Sequence, residues 1–120
     1  MAHILIIDDE TQIRMMLKMM LESEGYTVEE ACDGNEGIQK HYEKPADLII
    51  TDIIMPGKEG IETIIALRKH NPDIKIIAMS GGGRNNPEGY LRSAKLLGAE
   101  ETFAKPVRKD TLLAAVRRLV

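Results

Sequence analysis

The sequence contains no apolar stretch long enough to cross a bilayer, which sets a membrane-spanning role aside. Nor does it open on a secretory leader: the apolar run from Ile4 to Ile7 is short and passes straight into Asp8 and Asp9. Cysteine occurs once, as Cys32, so no intramolecular disulfide can form and a reducing, cytoplasmic setting is expected. A lone cysteine in a strand-like run reads as a small buried core filler rather than a nucleophile. There is no cationic excess either. The formal net charge is -3, which argues against direct nucleic-acid binding, because neutralising phosphates needs a clustered basic face. What remains is a chain of 120 residues, 43% hydrophobic and 29% charged, a balance that predicts one folded globular domain over 1–120 rather than a disordered segment.

Two hydrophobic periods alternate along it. Ile4 to Ile7 is a continuous branched run, the pattern of a strand buried on both faces. From Thr11 the residues Ile13, Met16, Leu17, Met20 and Leu21 recur at helical spacing, and Gly25 stops that helix. Tyr26 to Ala31 reads as a second strand, more polar and therefore nearer a sheet edge. Asp33 is a candidate N-cap for a helix through Tyr42, which Gly34 and Gly37 weaken. Leu48 to Thr51 is a third apolar strand. Pro56 and Gly57 turn the chain, and Ile61, Ile64, Ile65 and Arg68 mark a helix that Asn71 and Pro72 end. Ile74 to Met79 is a fourth strand, Tyr90 to Leu97 a helix closed by Gly98, Glu101 to Ala104 a fifth strand, and Leu112, Leu113, Val116 and Leu119 stripe a last helix. Five strand–helix units in succession predict an α/β fold, a doubly wound parallel sheet with helices on both faces. Ligands of such sheets bind beyond the carboxyl ends of the strands.

Those ends carry a coherent set of groups. The first strand runs into Asp8 and Asp9, the third into Asp52, the fourth into Ser80, and the fifth into Lys105 and Pro106. Three carboxylates at one rim cannot all ionise cheaply unless a cation sits among them. Oxygen ligands without histidine or cysteine favour a hard ion such as Mg²⁺. With an ammonium and a hydroxyl beside them, they suit a transferring phosphoryl group, and a carboxylate is a competent nucleophile that forms an acyl phosphate. Taken singly these residues are ordinary: Asp8 and Asp9 could cap a helix, Ser80 could make a turn and Lys105 could be a solvated charge. Their joint placement, one group per strand end, is the specific signal.

The motifs ILIIDDE, DLIITDIIMPGKEG, MSGG and AKP together resemble the receiver domain of bacterial two-component response regulators, over Ile4 to about Leu119. The resemblance implies a flavodoxin-like five-stranded sheet of order 2-1-3-4-5 and a single receiver domain over 1–120. It implies Asp52 as phosphoacceptor, with Asp9, Asp52 and the Ile54 carbonyl ligating Mg²⁺ and Asp8 acting through a metal-bound water. Lys105 would pair with phosphoryl oxygens, Ser80 would donate to one of them, and the Lys105–Pro106 bond is a candidate for the cis form. The donor would be a phosphohistidine of a histidine kinase or histidine phosphotransfer protein, and output would pass to a downstream protein effector. The chain would assist only its own phosphorylation and, with Gly81 leaving room for water, a slow self-dephosphorylation. None of His3, His41 and His70 falls at an active-site position; they read as surface or strand-end residues. The family's aromatic position holds Thr102, with Phe103 one place later and therefore on the opposite side of the strand.

Two surfaces invite partners. Met15 and Met19 widen the apolar stripe of the first helix, as deep burial or as an adaptable docking patch. Arg84, Arg92, Lys95, Arg108, Arg117 and Arg118 make a basic face, read first as an ordinary mixed surface and otherwise as an output or dimer surface. A flavin-binding protein of this architecture would need a glycine- and hydroxyl-rich phosphate loop where Asp8, Asp9 and Glu10 stand. An aspartate-nucleophile phosphatase would need a second Asp where Ile54 stands.

Overall fold

In a computed structural model describing residues 2–53, 60–80, 92, 94, 95 and 98–120, five strands form one parallel sheet of order β2-β1-β3-β4-β5. The strands are β1 (His3–Ile7), β2 (Thr27–Ala31), β3 (Leu48–Asp52), β4 (Lys75–Ser80) and β5 (Glu101–Ala104). The helices among the described residues are α1 (Thr11–Glu22), α2 (Gly34–Glu43), α3 (Gly60–His70) and α4 (Lys109–Leu119). Of the helix expected over Tyr90 to Leu97, both named ends lie outside the described residues; Arg92, Ala94 and Lys95 are helical.

The period of two along each strand divides the core into two layers. Leu5, Ile7, Ile49, Ile76 and Ala78 face α3, where Ile64 and Leu67 pack on them with Ile38 of α2. Ile4, Ile6, Leu48, Ile50, Ile77 and Met79 face the other way, onto Leu17 and Leu21 of α1 and Leu112, Leu113 and Val116 of α4. Central strands buried on both faces need apolar residues at every position, which is why β1 and β3 read as unbroken runs. The edge strand β2 shows one fully buried residue, Ala31, in keeping with its polar sequence. Phe103 packs on the α1–α4 side; Thr102, its neighbour, faces the opposite way by strand alternation.

Local signals act as their chemistry dictates. Asp33 caps α2 by accepting the Glu36 N–H at 2.8 Å. Gly37, costly to helix propensity, sits where a Cβ would come within 2.4 Å of Ile7 Cδ1, so the helix lies close on β1 because the residue is glycine. Gly25 follows α1 with φ +94°, a left-handed conformation that favours glycine.

Three expectations fail. Cys32 is exposed rather than a core filler, because β2 ends at Ala31 and Cys32 begins the turn into α2. His41 is not a surface residue: it is 1% exposed, and its Nδ1 accepts the Ala46 N–H at 3.0 Å. Met16 is not part of the buried stripe. Only Leu17 and Leu21 of α1 are fully buried, and Met15, Met16 and Met19 together form an exposed patch. Among the described residues no helix is long and apolar enough to cross a membrane.

Candidate functional site

The parallel sheet delivers its strand ends to one rim. Register pairs Ile7 with Thr51 and Asp52 with Met79, so Asp8 and Asp52 emerge from the adjacent strands β1 and β3. The turn after β1 is tightly held: the Asp8 N–H donates to the Ala31 carbonyl at 3.1 Å, and Asp8 Oδ1 accepts the Glu10 N–H at 2.9 Å. Asp8 is fully buried and Asp52 only 4% exposed, while Asp9 and Glu10 are exposed.

Each of Asp8, Asp9, Glu10 and Asp52 offers one carboxylate oxygen to a set lying within 4.8 Å of one another. Lys105, just beyond β5, reaches across the rim. Its Nζ lies 2.9 Å from Asp8 Oδ2, 3.1 Å from Asp52 Oδ2 and 3.2 Å from Glu10 Oε1. Burial alone would lower the lysine's proton affinity, but the Asp8 and Asp52 carboxylates hold its ammonium well above the ordinary lysine range. Burial pushes the Asp8 carboxyl above its usual range, against the opposing effects of Lys105 and the Glu10 amide. Among the described residues, one ammonium beside four carboxylates leaves net negative charge at a partly desolvated rim, which favours a further cation.

Two features of β3 and β4 complete the site. Ser80 ends β4 with its Oγ buried and, among the described residues, without a hydrogen-bond partner. Gly60 opens α3 against the end of β3, its N–H donating to the Ile53 carbonyl at 2.8 Å. A Cβ there would meet the Asp52 carbonyl oxygen at 2.3 Å and Ile53 Cα at 2.4 Å, so the glycine lets the helix come this close to Asp52.

The structure thus brings together Asp8, Asp9, Asp52, Ser80 and Lys105, which the sequence pointed to, and adds Glu10, which it did not. Ile54, expected to offer a carbonyl, lies outside the described residues, as do Gly81 and Arg84. The Lys105–Pro106 bond, the candidate for a cis peptide, is cis.

A family model described as the response regulator receiver domain matches residues 4–117. The chain belongs to that family. As a receiver it is a signalling domain of phosphorelays. It is 33% identical over 118 residues to the chemotaxis protein CheY of Thermotoga maritima, covering 98% of this chain and 96% of that protein. It is 35% identical over 120 residues to the transcriptional regulatory protein ResD of Bacillus subtilis, covering 99% of this chain but 48% of ResD. The receiver thus spans about half of one relative and nearly all of the other. A solved response regulator receiver domain from Clostridium thermocellum superposes with a TM-score of 0.91 at 31% identity, covering 99% of this chain and 94% of that one.

Proposed function

We propose that Asp52 is the phosphoacceptor of this receiver and that Mg²⁺ is held beside it by carboxylates of Asp8, Asp9 and Asp52, with Glu10 at the margin and the Ile54 carbonyl as a further ligand. The observation that carries this reading is the convergence of four carboxylates within 4.8 Å on a rim where Lys105 lies 3.1 Å from Asp52. The donor set fits the ion: every member is an oxygen, as a hard cation requires. The bound ion would supply positive charge to the phosphoryl oxygens as the group transfers.

The chain's own residues do the rest. An Asp52 carboxylate oxygen attacks phosphorus in line. The bond from phosphorus to the donor's imidazole nitrogen breaks, and that nitrogen keeps the electron pair and takes a proton. Lys105 meets the charge of a phosphoryl oxygen, shifting part of its attention from Asp8 and Glu10. The Ser80 hydroxyl, which has no hydrogen-bond partner among the described residues, donates to a second oxygen. The phosphohistidine belongs to a histidine kinase or histidine phosphotransfer protein, the readout to a downstream protein effector, and the setting is cytoplasmic. Labelling is stoichiometric, with only slow self-dephosphorylation.

Incubation with acetyl phosphate and Mg²⁺ followed by intact mass tests this. A gain of one phosphoryl group is expected, abolished in Asp52→Ala and by EDTA; a gain that survives Asp52→Ala refutes the assignment.

The exposed Met15, Met16 and Met19 patch on α1 supports a docking face for the phosphodonor, since methionine surfaces adapt to apolar partners. Met15→Lys with Met19→Lys is expected to slow transfer from the protein donor while acetyl phosphate labelling is unchanged; equal loss in both assays discards the docking face. The basic residues support the plainer reading. Arg108 pairs with Asp110, Arg117 with Glu24 and Arg118 with Glu101, so three of the six cations named for that face are locally matched.

A further inference from the structure

Arg14 touches none of the four carboxylates, yet it grips the turn that carries three of them. Its Nη1 donates to the Asp8 carbonyl oxygen at 2.6 Å, its Nε to Glu30 Oε1 on β2 at 3.3 Å, and its Nη2 to Thr11 Oγ1 at 3.4 Å. The side chain is 15% exposed. The guanidinium therefore ties together three elements: α1, which carries it, the end of β1, and β2. Glu30 is itself steadied by Lys18, at 3.8 Å, from the next turn of α1.

The two cations near the rim do different work. Lys105 sits on carboxylate oxygens that an incoming ion would need, and so must share them. Arg14 sits behind the turn, its hydrogen bonds going to the Asp8 carbonyl oxygen, Glu30 and Thr11. Crowded carboxylates repel, and that repulsion tends to splay the turn from Asp8 to Glu10. The Ala31 carbonyl holds the Asp8 N–H and Arg14 holds the Asp8 carbonyl, so neither of the two peptide planes that flank Asp8 can rotate without breaking a bond. Lysine cannot imitate this, because a single ammonium lacks the planar fork that reaches a carbonyl and a carboxylate on separate elements.

The geometry points to Arg14 as a positioning residue of this receiver, one that holds the Asp8–Asp9–Glu10 turn with its carboxylates convergent and so raises affinity for the divalent cation. This rests on the proposed cation site, but the turn's order can be read without any ion. Groups that orient metal ligands typically change metal affinity about 10–100-fold when removed. Arg14→Gln is accordingly expected to weaken Mg²⁺ binding about tenfold or more, by calorimetric titration at a temperature where every variant is folded. Arg14→Lys keeps the charge but not the fork, and is expected to recover only a small part of the affinity. Glu30→Gln, which loosens the anchor and leaves Arg14 in place, is expected to lie between Arg14→Gln and the unsubstituted chain. In the metal-free protein, hydrogen exchange of the Glu10 amide, which donates to Asp8 Oδ1, should quicken in the same order.

A residue that merely tethered α1 to β2 would lower thermal stability and leave both readouts of the folded protein unchanged. That result, in Arg14→Lys and Glu30→Gln if Arg14→Gln does not fold, overturns the inference. If the unsubstituted chain takes up neither Mg²⁺ nor phosphate, the proposed function fails instead, and Glu10 amide exchange alone then decides whether Arg14 holds the turn.

Discussion

At the carboxyl rim of the sheet, four carboxylates converge and the Lys105 ammonium pairs with three of them, whereas at the opposite rim the buried titratable group, His41, is arranged to carry no charge. His41 Nδ1 accepts the Ala46 N–H, which settles that nitrogen as the unprotonated one. Burial, and then the nearby His70 and His3, lower its proton affinity. All three histidines of the chain lie toward this end, and His70 places its ring edge-on to His41 with centroids 6.1 Å apart. The contrast separates two ways of burying a titratable group. At His41 the fold favours the neutral form and matches Nδ1 with a local hydrogen bond, while the buried Nε2 has no partner among the described residues. At Asp8 and Asp52 it keeps charge and matches it only in part, leaving room for something supplied from outside.

The largest effect should come from removing the Lys105 ammonium. Lys105→Met leaves Asp8 and Asp52 buried without their cation, a change that costs about 3–5 kcal/mol in buried ion pairs. Urea unfolding without divalent ions should show a loss of that order, and Mg²⁺ at saturating concentration should restore much of it, since a ligand specific to the folded state stabilises by mass action. A loss that Mg²⁺ leaves untouched would mean that the carboxylates do not act as one cation site, and the contrast between the rims would fail at its charged end.

Much of this arrangement was legible in the sequence, for identifiable reasons. The runs Ile4 to Ile7 and Leu48 to Thr51 are apolar throughout because both faces of β1 and β3 are covered, and the polar composition of β2 follows from its place at an edge. Asp8, Asp9, Asp52, Ser80 and Lys105 could be grouped because a parallel sheet sends every strand's carboxyl end to the same rim. The misses are residues whose surroundings depend on packing angles. Apolar spacing on α1 could not separate Met16 from Leu17, since one step around a helix moves a side chain from core to solvent. His41 gave no sign of burial because its partner, the Ala46 amide, lies in the loop after α2. Glu10 and Arg14 act through long side chains whose reach exceeds any spacing rule, although ILIIDDE did set Glu10 beside the two aspartates.

A smaller effect is expected where backbone rather than charge shapes the carboxyl rim. Gly60→Ala places a methyl group 2.3 Å from the Asp52 carbonyl oxygen, and backbone cannot move aside as a flexible side chain can. Overpacking of this kind costs about 1–3 kcal/mol. Because the strain falls on the peptide after Asp52, acetyl phosphate labelling should slow as well. Gly25→Ala, at a left-handed position with open space around it, is the control, expected to strain the backbone and spare the labelling rate. Equal labelling in both variants would detach Gly60 from the site.

The mildest effect belongs to the neutral rim and appears only as a pH dependence. His41 has its proton affinity lowered in the folded chain relative to an ordinary histidine value of 6.5, so below that pH the unfolded chain binds more protons than the folded one. The stability that neutral His41 contributes is therefore complete above about pH 6.5 and is lost as the pH falls towards its folded value, with a slope of at most about 1.4 kcal/mol per pH unit for one proton. His41→Gln offers the Ala46 amide an acceptor that does not titrate, so its urea midpoint should fall less steeply than the unsubstituted chain's between pH 6.5 and 5. Carboxylates at the other rim titrate in both proteins and cancel in the difference, which isolates the histidine. Parallel curves would show that His41 accepts a proton without cost, and the neutral rim would then owe nothing to the bond at Ala46.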